Sequence, residues 1–304
     1  METAIEIRSV TKAFRRLGRR TVALEDVSLE IRRGETFGLI GPNGAGKTTL
    51  LSCLLGFLRP DSGEIRIEGR EADDLKIRES TGYMPERLGF DRFQTGRAFL
   101  SSHFRLAGGD SAQAPRVVES AARCVGLETA WLSRRLRTYS RGMLQRIGMA
   151  QATLRDPKFL FLDEPASGID PAGVRTIRER ILEAKARGAT IVVNSHQLPE
   201  IEKVCDRIAF LDKGRLRQTE ALRGVESLRK ARVRVRPDDA PRAAQILEQA
   251  GQTVSRSEAG VLRFAARDEE GVAEAARALC GAGIPIYELS SDADLESLFE
   301  ADPK

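Results

Sequence analysis

Residues Phe37–Leu50 read F-G-L-I-G-P-N-G-A-G-K-T-T-L: a short apolar strand, a glycine-rich turn, then Lys-Thr-Thr opening a helix. The spacing G-x-x-x-x-G-K-[ST] in a strand–loop–helix context predicts a phosphate site. Gly41, Pro42, Asn43, Gly44, Ala45 and Gly46 form a turn tight enough to point backbone N–H groups inward at a polyphosphate, which then sits on the positive end of the following helix. Lys47 adds a point charge, Thr48 offers a hydroxyl to Mg²⁺, and Thr49 reaches an inner phosphate. This stretch predicts that the chain binds a nucleoside triphosphate.

Working outward, Phe159–Pro165 reads F-L-F-L-D-E-P. Four apolar residues describe a buried strand, and two carboxylates followed by proline end it. Alone this is a strand-end turn. Downstream of a phosphate loop it becomes the other half of a site, with Asp163 holding Mg²⁺ through water and Glu164 polarising an attacking water. Further strands are expected at Ile5–Val10, Val22–Ile31, Ile65–Glu68, Thr190–Asn194 and Arg207–Leu211, with a basic turn at Arg15–Arg20. Strands alternating with helices predict an α/β fold with a mostly parallel sheet covered on both faces. The Ala-rich stretch from about Phe93 to Gly126 has helical spacing and predicts a helical subdomain over about 87–158.

Past Gly214 the texture changes. Arg232–Val235, Thr253–Ser257, Val261–Ala265 and Ile284–Leu289 read as strands, Pro241–Ala250 and Glu270–Leu279 as helices. That order, βαββαβ, predicts a small ferredoxin-like α+β domain and a short helix at Asp292–Glu300. The boundaries expected are 1–222 for the nucleotide-binding domain and 223–304 for the accessory one.

The 304 residues carry 49 basic and 44 acidic side chains, a net +5. Basic and acidic residues are mixed along the chain and aromatics make up only 5%, which argues against nucleic acid as a partner. Four cysteines, Cys53, Cys124, Cys205 and Cys280, are far apart with no C-x-x-C pair, so neither zinc nor a disulfide framework is expected. No basic stretch followed by an apolar run opens the chain, and no apolar run approaches the ~20 residues needed to span a bilayer. Any membrane role passes through a partner chain. His103, in the helical stretch, reads as a hydrogen-bonded structural histidine.

The series G-P-N-G-A-G-K-T-T, Y-S-R-G-M-L-Q-R (Tyr139–Arg146), F-L-D-E-P, S-G-I-D (Ser167–Asp170) and S-H (ending in His196) resembles the nucleotide-binding subunit of an ABC transporter over about residues 4–220. The resemblance implies that Glu164 is the catalytic base and His196 a switch that senses the γ-phosphate. Ser140, Arg141, Gly142 and Met143 occupy the signature motif, which binds the γ-phosphate held by the opposite subunit. Ser167 and Asp170 fall in the loop that crosses the dimer interface. Phe14 lies where the family stacks an aromatic on adenine, and a core aromatic is an equal reading of that position. Two departures stand out: Glu86 replaces the common Gln as a ligand for Mg²⁺, and Arg141 and Met143 replace Gly and Gln. Both resemble a subgroup exporting drugs, antibiotics or sodium, often with a C-terminal extension, of which L-E-S-L-F-E (Leu295–Glu300) is the best match.

The resemblance implies ATP and Mg²⁺ as ligands. A phosphate loop alone leaves one side of the γ-phosphate open to water, and the signature of a second copy covers it. One sequence supplies every part, so a homodimer closing on two ATP molecules is expected, driving a separate integral-membrane permease. That places the chain in the cytoplasm, peripheral at the cytoplasmic face of the inner or plasma membrane. The alternative is a soluble ABC ATPase that remodels proteins or assembles iron–sulfur clusters.

Overall fold

In the parallel sheet, β3 (Thr36–Ile40), β7 (Phe159–Asp163) and β8 (Thr190–Asn194) are buried at every position. Near-continuous apolar runs of this kind belong to strands covered on both faces. The computed structural model describes residues 2–16, 19–87, 89, 91–195, 201–221, 229–256, 260–266 and 269–293. The chain divides into two compact units, residues 1–222 and 223–304.

The first unit holds two sheets. The larger has the order β10-β9-β3-β8-β7-β6, adding β6 (Thr81–Met84), β9 (Arg207–Asp212) and β10 (Arg215–Ala221). Pairs β6·β7, β7·β8, β8·β3 and β3·β9 are parallel, and β10 runs antiparallel to β9. The second sheet is antiparallel, with order β2-β1-β4-β5, from β1 (Thr3–Arg16), β2 (Arg19–Arg32), β4 (Ser62–Ile67) and β5 (Arg70–Glu71). Helix α1 (Lys47–Leu54) shares one core with both sheets. Leu50, Leu51 and Leu54 pack there with Ile5, Ile31, Ile67, Phe37 and Phe161, and each such side chain contributes about 1.5–3 kcal/mol. The phosphate loop is therefore anchored at both ends by core residues.

After α2 (Leu75–Glu79), the stretch between β6 and β7 is helical: α3 (Gly96–Leu106), α4 (Ala114–Cys124), two short 3₁₀ turns and α5 (Arg141–Ala152). His103 sits within α3, its Nδ1 2.9 Å from the Phe99 carbonyl, as a structural histidine would. Helix α6 (Pro171–Ala186) follows β7.

Several sequence expectations shift. The hairpin strands are longer than expected and run into the basic segment, where Arg15 pairs with Arg20 and Arg16 with Arg19. Once Ala13↔Val22 and Phe14↔Thr21 are in register, continuing the ladder through Arg16 and Arg19 satisfies further backbone groups. Arg215–Ala221, grouped by texture with the tail, belongs to the first unit's sheet. Lys213 and Gly214 have φ of +47° and +80°, the two-residue turn with both centres left-handed that closes a tight hairpin. The four residues of β6 are too few to display a period.

The second unit has β11 (Arg229–Arg234), α7 (Ala240–Gln249), β12 (Thr253–Arg256), β13 (Val261–Ala266), α8 (Glu269–Gly281) and β14 (Glu288–Ala293). Its antiparallel sheet has the order β12-β13-β11-β14, the split-βαβ arrangement. Val233, Leu262 and Phe264 pack with Ala244, Leu247, Ala275 and Leu279 of the helices. The last strand begins at Glu288 rather than Ile284. Ile284 is buried and its N–H caps α8 on the Leu279 carbonyl, and Pro285 has no N–H to give a ladder. The helix expected at Asp292–Glu300 lies outside the described residues except for its first two, which end β14.

All four thiols are free; Cys53 and Cys205 are buried, Cys124 and Cys280 exposed. Burial pushes the Cys53 thiol up to about 11 and that of Cys205 further, and only the thiolate reacts. Titration of the native protein with a chromogenic disulfide at pH 8 is expected to find two fast thiols, with all four reacting after unfolding. Three or four fast thiols in the folded protein would contradict this packing.

Candidate active site

The C-terminal ends of parallel strands are where an open α/β sheet presents a ligand site. Here β3 delivers Gly41, β7 delivers Asp163 and β8 delivers Asn194, with Asp163 paired to Asn194 and Leu39 to Asn194 across the sheet. A Cβ on Gly41 would lie 2.0 Å from the Leu211 carbonyl oxygen of β9, so only glycine lets the loop leave the sheet here. The loop is braced further by an Ala45 N–H to Pro42 C=O bond of 3.1 Å and a Gly214 N–H to Ala45 C=O bond of 2.8 Å. Helix α1 starts at Lys47 itself, which aims its first N–H groups at the loop.

Lys47 is buried, and its Nζ donates to the carbonyls of Gly41 at 2.7 Å and Pro42 at 3.1 Å. Burial lowers its pKa, against the pull of Glu164, Asp163 and Glu86. Thr48 Oγ1 donates to Asp163 Oδ2 at 3.4 Å, bringing the loop hydroxyl and the strand-end carboxylate together. Asn194 Nδ2 donates to the other oxygen of Asp163. Asp163 is 2% exposed, and burial pushes its carboxyl up to about 6; Glu86 and Glu164 add to the rise while Asn194 and Thr48 oppose it. A buried carboxylate facing the charges of Glu86 and Glu164 is suited to a cation.

The donor set fits Mg²⁺. A hydroxyl and one buried carboxylate are hard oxygen ligands, and Mg²⁺ characteristically takes one or two of these plus phosphate oxygens and water rather than an all-protein cage. No group of three or more His, Cys, Asp or Glu able to hold a metal exists among the described residues, which leaves the pair Thr48 and Asp163 as protein donors. The buried Oδ1 of Asn194 has no hydrogen-bond partner, an acceptor that a water in the site would satisfy.

Glu164 takes φ +50°, a left-handed conformation costing a non-glycine residue on the order of 1–3 kcal/mol. Neighbours hold it there: its N–H donates to the Asn194 carbonyl at 2.8 Å, and its carbonyl accepts from the Ser167 N–H at 3.1 Å and from Gln145 Nε2 at 3.2 Å. Ser195 Oγ donates to Glu164 Oε2 at 3.4 Å. The two adjacent carboxylates have different partners, Ser195 for Glu164 and Thr48 with Asn194 for Asp163.

Ser140 caps α5, accepting from the Met143 N–H at 3.2 Å, and Gly142 follows in the first turn. Asp170 caps α6 through the Gly173 N–H at 3.2 Å. Arg141 reaches across to donate to Ser167 Oγ at 3.1 Å, and Arg146 lies 3.6 Å from Asp170. Phe14 is 41% exposed on β1, which removes the core reading of that residue. Glu86 is exposed, just past β6, and its charge reaches both Lys47 and Asp163. His196 lies outside the described residues. Sequence reasoning missed Asn194, Ser195 and Gln145. Asn194 was visible as the polar end of T-I-V-V-N, where a buried strand stops at the carboxylates.

The family described as ABC transporter matches residues 24–167. An uncharacterized ABC transporter ATP-binding protein of Nostoc sp. is 46% identical over 217 residues, 69% of this chain and 63% of that protein. The match to a Synechocystis relative covers 61% of that protein. The uncharacterized ABC transporter ATP-binding protein YhcH of Bacillus subtilis is 39% identical, covering 71% of this chain and 69% of its own length. The Nod factor export ATP-binding protein I of Paraburkholderia xenovorans is 37% identical, over 70% and 69%. The solved ATP-binding subunit of an ABC transporter superposes with a TM-score of 0.66 at 30% identity, over 73% of this chain and 92% of that one.

The Asp163 carboxyl binds its proton more tightly in the folded chain than in the unfolded one, where it titrates near 3.8. Its contribution to stability is thus fully present below pH 3.8 and lost as pH rises through about 6. At pH 7 the buried charge costs about 3 kcal/mol. In urea denaturation without Mg²⁺ or nucleotide, Asp163→Asn is expected to be more stable than wild type at pH 7. The gain should vanish by pH 4; an equal gain at both would assign it to something other than the charge.

Proposed function

Because the chain belongs to the ATP-binding subunits of ABC transporters, we propose that it binds and hydrolyses ATP to drive a separate membrane permease. The observation that carries this reading is the convergence of Lys47, Thr48, Asp163 and Glu164 on one edge of the parallel sheet. Backbone N–H groups of the glycine-rich loop and the Lys47 ammonium take the β- and γ-phosphates. Thr48 and Asp163 hold Mg²⁺, with Glu86 close by; when bound, the ion neutralises charge on the phosphate oxygens. Thr49 contacts an inner phosphate.

Glu164 orients a water in line with the γ-phosphorus and accepts its proton. The new P–O bond forms as the bond to the bridging oxygen breaks, releasing ADP and inorganic phosphate. Ser195 steadies the Glu164 carboxylate, and His196 senses the γ-phosphate from the next position. Phe14, exposed on β1, stacks on adenine.

The active form is a homodimer. Ser140, Arg141, Gly142 and Met143 at the start of α5 face the γ-phosphate of the opposite protomer, and Ser167 and Asp170 lie at the shared interface. Closing on ATP and reopening after hydrolysis is the motion handed to the permease. No helix among the described residues is long and apolar enough to cross a membrane. The subunit works at the cytoplasmic face of the membrane through its permease. Relatives named as Nod factor export proteins support export as the direction. The accessory unit, 223–304, serves as a brace or dimer contact.

Glu164→Gln is expected to lower kcat at least 100-fold, retain ATP binding, and accumulate an ATP-dependent dimer in size-exclusion chromatography. Near wild-type turnover would remove Glu164 from its role. Phe14→Ala is expected to weaken ATP by roughly 5- to 100-fold, the worth of one stacked base, with kcat little changed. Without further base contacts, ATP and GTP should compete within a modest factor, which a displacement titration measures.

A further inference from the structure

Helix α5 does more than carry the signature segment at its start. Three side chains from its first two turns reach the single connection between β7 and α6. Arg141 donates to Ser167 Oγ at 3.1 Å, and its guanidinium lies over Gly168, where an added Cβ would meet it at 2.4 Å. Arg146 meets Asp170 at 3.6 Å, and Gln145 donates to the Glu164 carbonyl at 3.2 Å. The last contact differs in kind. Gln145 is 4% exposed, its bond is buried, and its acceptor is the backbone of a residue held left-handed.

A backbone carbonyl fixes its residue's ψ, and through it the direction in which the side chain leaves. The Glu164 peptide groups are bound at three points: Asn194 on the N–H, Ser167 and Gln145 on the carbonyl. Asn194 belongs to the sheet and Ser167 to the same turn. Gln145 alone comes from the helix that begins at the signature. Displacement of α5 along its axis therefore acts on Glu164 directly.

We propose that Gln145 is a positioning residue that couples each protomer's signature helix to its own Glu164, so that nucleotide seated against the signature sets the base of the other site. This rests on the hydrolytic dimer proposed above. A γ-phosphate docked on Ser140 and Gly142 fixes α5, α5 fixes the Glu164 carbonyl through Gln145, and the carboxylate is held ready for the second ATP. Arg141, tied to Ser167, keeps the rest of the turn moving with the helix. The two sites then fire cooperatively although no residue touches both nucleotides.

The test uses the purified full chain and its steady-state ATPase. Gln145→Met keeps the volume and removes the amide; Gln145→His restores a ring N–H at similar reach. Gln145→Met is expected to lower kcat at least tenfold, leave fluorescent-ATP affinity and the melting temperature within error, and bring the Hill coefficient for ATP towards 1. Gln145→His is expected to recover most of both kcat and cooperativity. Wild-type kcat and Hill coefficient in Gln145→Met would overturn the proposal. So would parallel losses of affinity and melting temperature in both variants, which mark a packing role. Glu164→Gln run alongside separates the two levels: if it is inactive while Gln145→Met is normal, only the coupling fails, and if it turns over normally, the site reading falls and the coupling with it.

Discussion

The contact on which the rest depends is the approach of the Gly41 backbone to the Leu211 carbonyl. It lets the chain leave β3 and turn at once into α1, with no excursion over the surface. A side chain there would push the loop off the sheet edge and carry Lys47 and Thr48 away from Asp163. The two halves of the site come from residues more than a hundred positions apart. Their meeting is set by strand order, β9-β3-β8-β7, and by a loop with no freedom to wander.

Within this frame, charge and burial are set against each other. Lys47 and Asp163 are both buried, each shifted toward its neutral form. An ammonium resting on loop carbonyls and a carboxylate resting on an amide and a hydroxyl are partly compensated pairs, and such groups are costly to keep charged. A triphosphate with its cation completes both at once. The free chain is therefore biased toward binding by its own desolvation, and the bias is strongest where the chemistry happens.

The phosphate loop and the carboxylate strand were legible because each is a local pattern with a mechanical reason behind its spacing. The βαββαβ order of the tail was legible too, since its strand-like and helix-like stretches differ clearly in apolar spacing. Less visible was whatever depends on partners distant in sequence. The basic hairpin arm extends because of ladder register, and Arg215–Ala221 joins the first unit because of the turn at Lys213 and Gly214. Ile284 looks like strand residue yet serves as a helix cap. Gln145 carried no local signal: a glutamine on an amphipathic helix is ordinarily at the surface, and only the fold buries it against Glu164.

The left-handed backbone at Glu164 has an evolutionary consequence. Glycine would occupy that conformation without strain, so drift towards stability pulls this position away from the carboxylate. A chain freed from selection for turnover should lose Glu164 early and gain robustness by it. Relatives that only clamp nucleotide can be sought by that substitution, sitting beside an intact loop.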